Sequence, residues 1–327
     1  MAMKWRGFYP EARYLHQGDA YLLVEFAVEH NVFSCLKSMK FWELIERERP
    51  PGILYGDEVV ESRGVSIHFD VDETSFDEIV PKLKEIEAKI PPIERIEIPS
   101  RRVRIPVWFE DKFTRECQEY YSKNIKKIDC YDTELLVRYN GLKDVKELLD
   151  AFVSQQWWGY CCGFQCGICA GVPMDPRYYI LGPKYNPPRT WTHEGTVALG
   201  YDELAIYPLR GPGGYRQVGI TPQPIYVYAH GYKNSDQIHP IFRKRPVLHY
   251  VGDRIELFPV TEEEYYAIEK AWEEGKYYYK VYPFEVFSAK KYMEFLEEVM
   301  PEAQKSIRNR PWAKMATVKV LGLPWEA

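Results

Sequence analysis

The 327-residue chain is 46% hydrophobic and 15% aromatic, and 43 basic against 48 acidic residues leave a net charge of −5. That length and apolar content predict a sizeable core, and the near-balanced charge, with no Arg/Lys stripe, excludes nucleic acid as an expected partner. No apolar run is long enough to cross a bilayer and MAMKWRGFYPEARY has no apolar h-region, so the expectation is a soluble cytoplasmic protein with no membrane partner.

Taken in order, the first element is a turn and strand over residues 14–26, where Gly18-Asp19 precedes the apolar run YLLVEF. A helix follows over Asn31 to Arg49 and is stopped by Pro50-Pro51-Gly52. Val59 to Asp70 is strand material, with Val65, Ile67 and Phe69 alternating. Ser75 caps a helix whose Phe76, Ile79, Val80, Leu83 and Ile86 fall at helical spacing. Strand material resumes from Ile93 to Pro106. Helices mixed with strands predict a small N-terminal α/β subdomain over residues 1–100, in an α+β protein.

Beyond it, Thr114 to Lys127 and Leu142 to Phe152 are helical stretches. After Trp157-Trp158, short strands broken by Gly and Pro run to Pro259, a spacing that fits a β-barrel or sandwich over residues 101–260. Thr261 to Gly275 and Ser288 to about Arg308 are helical, giving a helical C-terminal extension over residues 261–327. The 26 Tyr, 9 Trp and 24 Pro suit strands, turns and stacked contacts rather than a helical bundle.

Seven cysteines are present, and four crowd into Cys161 to Cys169, which predicts reduced thiols rather than a spread disulfide framework. Cys162, Cys166 and Cys169 have C-x3-C-x2-C spacing, able in principle to hold an iron–sulfur cluster. No βα repeat surrounds them, so no metal is expected, and the alternative is small residues packing under a Gly-rich loop.

The densest chemistry lies between Lys184 and Gly219. In Lys184-Tyr185-Asn186-Pro187-Pro188-Arg189-Thr190-Trp191-Thr192, two prolines stiffen a backbone that carries Lys184, Asn186 and Arg189 as donors. In Gly211-Pro212-Gly213-Gly214-Tyr215, bare backbone lets another group come close. Stiff backbone, cationic donors and an open glycine turn suit a small anion or a polarised carbonyl; the plain alternative is two surface turns. Asp202-Glu203 between the blocks is a base or metal-ligand candidate, or else a solvated strand-end turn. His193 is a proton-shuttle candidate or a surface histidine, and His230, His239 and His249 have no ligand spacing. No nucleophile elbow, Walker loop or dinucleotide fingerprint is present.

Together GDAYLLVEF from Gly18, Val65-Ser66-Ile67-His68-Phe69-Asp70, Arg138-Tyr139-Asn140-Gly141-Leu142, Asp175-Pro176-Arg177, KYNPPRTWT, GPGGYRQVG and GDRIELFPV from Gly252 resemble a known family. It is the second half of the carboxyltransferase domain of urea carboxylase, related to allophanate hydrolase subunit 1 and to the B component of 5-oxoprolinase. The resemblance covers about residues 14 to 310. It implies a cyclophilin-like β-barrel, with Arg138 to Leu142 at a helix start. It also implies a partner chain related to allophanate hydrolase subunit 2, and biotin carboxylase and biotin carrier proteins. Carboxybiotin on a partner chain then delivers CO2 to a small urea-like, amide or ketone acceptor, with ATP used by a partner subunit. On that basis Lys184, Arg189, Asp202 and Glu203 are the catalytic candidates; Asn186, Tyr207, Gly213, Gly214, Tyr215 and Gln217 are the substrate-binding ones. Urea carboxylases carry Gly-Gly where this chain has Tyr201-Asp202, and Arg where it has Ile220. The resemblance leaves two alternatives: a subunit of an ATP-dependent amide hydrolase, and a non-catalytic regulatory partner protein.

Overall fold

The computed structural model describes residues 7–28, 30–60, 63–161, 163–227, 238–308 and 310–311. The chain divides into two compact units: the described residues of Met1–Pro99 and Glu285–Glu297 form one, those of Ser100–Phe284 and Glu298–Lys319 the other.

In the first unit, β1 (Phe8–His16), β2 (Tyr21–Ala27), β3 (Ile53–Val60) and β4 (Gly64–Phe69) make an antiparallel sheet of order β1-β2-β4-β3. Helices α1 (Val32–Glu48) and α2 (Phe76–Glu87) follow β2 and β4. Helix α1 starts where the Asn31 side chain accepts from the Phe33 and Ser34 backbone N–H groups and Ser34 Oγ accepts in return from Asn31 N. Such a reciprocal cap contributes about 1 kcal/mol. Alternation along the strands turns Leu22, Val24, Val65 and Ile67 inward, against Phe41, Leu44, Ile79 and Leu83 of the helices. Each side chain so buried contributes roughly 1.5–3 kcal/mol. Strand β3 was hidden in the sequence because Leu54 and Tyr55, on the sheet edge, are more than half exposed and Gly56-Asp57-Glu58 breaks the apolar alternation. Gly56 is required there, since a Cβ would stand 2.3 Å from the Trp42 ring.

The second sheet begins with β5 (Glu97–Phe109), continued by helices α3 (Lys112–Asn124), α4 (Asp132–Asn140) and α5 (Val145–Val153). Strands β6 (Trp157–Cys161), β7 (Cys169–Pro173), β8 (Arg189–Thr192), β9 (Thr196–Gly200), β10 (Glu203–Ile206), β11 (Gly211–Gly213) and β12 (Arg216–Ile220) follow. Then come β13 (Arg254–Pro259), α6 (Glu262–Glu273), β14 (Val281–Ser288) and α7 (Ala289–Arg308). Val103, Ile105 and Val107 of β5 pack with Phe152, Trp157, Leu199, Leu204 and Ile255 in one core. The Trp157 indole N–H donates to Phe152 O at 3.1 Å, so even the polar edge of this fully buried ring is satisfied.

Three expectations need correction. The α+β class stands, but the cyclophilin-like barrel does not: eight of these strands form one sheet of order β12-β9-β10-β7-β6-β13-β5-β14, and β8 and β11 pair in a separate two-stranded sheet. Strand β12 also touches β5, through the pairs Gly219–Phe109 and Ile220–Trp108, a contact far shorter than the parallel β13–β5 ladder from Arg254–Arg102 to Pro259–Val107. The C-terminal extension is not wholly helical, because β14 joins the sheet beside β5. Arg138 to Leu142 ends a helix rather than starting one: Gly141 at φ 62 closes α4, and Asp144 caps α5 through the Glu147 N–H. Among the described residues no helix is long and apolar enough to cross a membrane.

Candidate functional site

The two sequence blocks are hydrogen-bonded neighbours. Strand β8 of the first pairs antiparallel with β11 of the second, with Gly211 opposite Thr192 and Gly213 opposite Arg189. The Tyr185 N–H donates to Gly214 O at 2.7 Å and extends the junction by one link. Gly213 is glycine because a Cβ would meet Tyr207 Oη at 2.5 Å and Thr192 Oγ1 at 2.7 Å; at Gly214 the nearest atom is 3.8 Å away.

Arg189, a catalytic candidate, is 1% exposed and spends its donors on the ribbon. Its guanidinium donates to Thr192 Oγ1 at 3.3 and 3.2 Å and to Tyr215 O at 2.6 Å. Lys184, by contrast, is exposed, its ammonium 4.9 Å from the Tyr201 ring centre and 4.8 Å from that of Tyr215. The aromatic faces hold the charge in place without neutralising it. Asn186 is exposed too, and its backbone oxygen accepts from Lys126 Nζ at 2.8 Å.

Asp202 and Glu203 accept from different phenols. Asp202 accepts from Tyr179 Oη at 2.9 Å, while Glu203 accepts from Tyr215 Oη and also from the Tyr160 hydroxyl. Burial and the Glu203 charge both push the Tyr215 phenol up, so at neutral pH it keeps its proton and donates. A chain of contacts thus runs from Lys184 over the Tyr215 ring to Glu203.

Tyr207 is buried, and burial raises its phenol against the opposing charge of Arg189. Gln217 is buried as well. Its amide lies beside the Cys117 thiol and opposes the rise in pKa that burial imposes there.

A residue with no signal in the sequence organises this group. Asp132, the first residue of α4, is 1% exposed. It accepts from Tyr185 Oη at 2.7 Å, Arg216 Nη1 at 3.1 Å and Gln217 N at 2.8 Å. Burial pushes its carboxyl up, and Arg216 and Arg189 oppose that shift. Arg216 also donates to Pro183 O at 2.6 Å and lies 4.0 Å over the Tyr185 ring. One carboxylate therefore fixes the block that carries Lys184 and Asn186 to strand β12.

His193 is half-buried between Trp191 and Phe113, and burial lowers its pKa despite Glu116 at 3.9 Å. Among the described residues, no three His, Cys, Asp or Glu side chains come together to hold a metal. Cys166 is exposed and Cys169 buried in β7, while Cys162 lies outside the described residues.

Comparison with known proteins matches residues 12–232, more than half of the chain, to the family described as carboxyltransferase domain, subdomains C and D. The urea amidolyase of Lachancea kluyveri is 29% identical over 308 residues, covering 91% of this chain and 16% of that protein. The B component of the Bacillus subtilis 5-oxoprolinase is 24% identical over 185 residues, covering 56% of this chain and 64% of that protein. The crystal structure of the Kluyveromyces lactis urea carboxylase superposes with a TM-score of 0.81 at 26% identity, over 93% of this chain and 27% of that one. The chain thus spans well under a third of the length of these two fungal proteins. On the family match, supported by relatives that extend over nearly its whole length, the chain belongs to the carboxyltransferase subdomain C and D family, homologous to urea carboxylase and urea amidolyase and related to the B component of 5-oxoprolinase.

Proposed function

We propose that this chain supplies one half of a carboxyltransferase site, which moves CO2 from carboxybiotin on another chain to a small urea-like, amide or ketone acceptor. A partner related to allophanate hydrolase subunit 2 supplies the other half. The observation that carries the reading is the β8–β11 ribbon with Lys184 exposed at its edge, in a chain of this family. Two features suit a flat ureido group: an exposed ammonium able to polarise a carbonyl oxygen, and open backbone at Gly214, where the nearest atom to an added Cβ is 3.8 Å away. Carboxybiotin, when bound, supplies the carboxyl group to be transferred.

The chain's own residues then have separable tasks. Lys184 orients and polarises a carbonyl oxygen, and its charge acts where the tyrosine faces already hold it. Tyr215 keeps its proton and donates it in a hydrogen bond to Glu203, which fixes the ring under Lys184. Arg189 and Asp132 are positioning residues, holding the ribbon and the Lys184 segment in register. Tyr201 stands at φ 53, more than half exposed, with its ring on Lys184. It stands where urea carboxylases carry Gly, so the edge of the proposed site beside Lys184 differs from theirs.

The test is a reconstituted assay with the partner half and a carboxylated carrier. Lys184→Ala should lower transfer about 100-fold, the range seen when a carbonyl-polarising donor is lost, with the melting temperature unchanged. Transfer at the wild-type rate would remove Lys184 from the chemistry. Hydrolysis of an amide coupled to ATP, with no carboxylated product, would favour the amide-hydrolase alternative.

A further inference from the structure

Beside the Lys184 segment lies a cleft of about 190 Å³, lined in part by Asn186 and Tyr185. Its rim and wall carry Lys126, Lys127, Arg138 and Arg216, with Asp129 as the acid among them. Arg216 is ion-paired with Asp132, so Lys126, Lys127 and Arg138 against Asp129 leave a local net positive charge in a chain whose overall charge is −5. Tyr121 and Tyr185, 1% and 5% exposed, close one side. Their rings meet edge to face at 4.6 Å, so the wall is rigid.

The cations are partly fixed from behind. Lys126 donates to Asn186 O at 2.8 Å, Arg216 to Pro183 O and Asp132, and Arg138 to the Cys130 sulfur. Each of those contacts leaves further N–H groups on the same head, since an ammonium has three donors and a guanidinium five. Lys127 and Arg138 are exposed at the entrance. Ammonium and guanidinium groups lining a polar pocket suit tetrahedral oxyanions, with Arg supplying paired N–H groups and Lys point charge. The volume accommodates a phosphate group with room for a small substituent.

We infer that this cleft binds a phosphate group, as the free ion or as the monoester end of a small metabolite, held by Lys126, Lys127, Arg138 and Arg216. The site does not depend on the carboxyltransferase reading, and its test uses no transfer assay. Equilibrium dialysis of the full chain against radiolabelled inorganic phosphate should show one saturable site per chain. The double variant Lys127→Gln/Arg138→Gln, at two exposed positions, should weaken binding at least about 10-fold through loss of two charge-assisted contacts. Lys270→Gln, at an exposed lysine of α6 outside the cleft, should leave it unchanged. At about ten times its dissociation constant, phosphate should raise the Tm by roughly 3 °C over chloride of equal ionic strength, and only when the cleft is intact. Tighter binding of glycerol phosphate than of phosphate would identify a monoester as the ligand; equal binding would identify the free ion. No saturable binding, or binding that persists in the double variant, would overturn the inference.

Discussion

A methyl group on Gly213 would stand 2.5 Å from Tyr207 Oη, whereas one on Gly214 would have nothing nearer than 3.8 Å. Gly213→Ala should therefore destabilise the chain by about 1–3 kcal/mol, the range for overpacking. Gly214→Ala should stay within about 0.5 kcal/mol of wild type. Urea denaturation of both variants checks this, and equal losses would mean that the ribbon is not packed as described. Asp132→Ala leaves Arg216 and the Gln217 N–H without their shared acceptor. Breaking a buried pair from one side costs about 3–5 kcal/mol, and the same melts should show it. At this scale the sequence was partly legible. Lys184 and Gly213 stood out because a stiffened cationic run and a glycine turn are local signals. Asp132 did not, since its partners Arg216 and Gln217 lie 84 and 85 residues further on, and nothing near Cys130-Tyr131-Asp132 marks it.

At the scale of elements, local rules read well and edges read badly. The caps of α1 and α2 follow from Asn31 and from Ser75 with Glu78, whose carboxylate accepts from Ser75 N at 2.9 Å. Most of strand β3 carries no periodic signal and the closing turn of α4 reads as a start, because exposure of an edge strand and the left-handed turn at Gly141 are settled by packing, not by periodicity. The segment before β13 makes a further measurable claim. Burial, helped by Arg101, pushes the imidazole of His249 down to about 3. In the unfolded chain it takes a proton below its ordinary pKa of about 6.5, while in the folded chain it refuses one until about 3. The unfolded state therefore binds more protons across that window, and stability falls as pH falls through it by about 1.4 kcal/mol per pH unit. His249→Gln should flatten that slope by the same amount; an unchanged slope would show that His249 titrates normally in the fold.

At the scale of the whole molecule, pairing between distant strands decided what the sequence left open. Short strands broken by Gly and Pro suit a barrel and a sheet equally, and only the long parallel ladder of β13 on β5 beside the two-pair contact of β12 on β5 separates them. The same folding places KYNPPRTWT against GPGGY and leaves Lys184 facing solvent. An exposed, oriented cation needs a cover before it acts strongly on a carbonyl, because water screens it. That is the physical reason to expect a second chain over the ribbon. The most direct measurement is transfer of labelled carboxylate from a carboxylated biotin carrier to an acceptor, with this chain alone, the candidate partner half alone, and the two mixed. Label should reach the acceptor only in the mixture, and Lys184→Ala should remove it. Full transfer by the partner half without this chain would contradict the account.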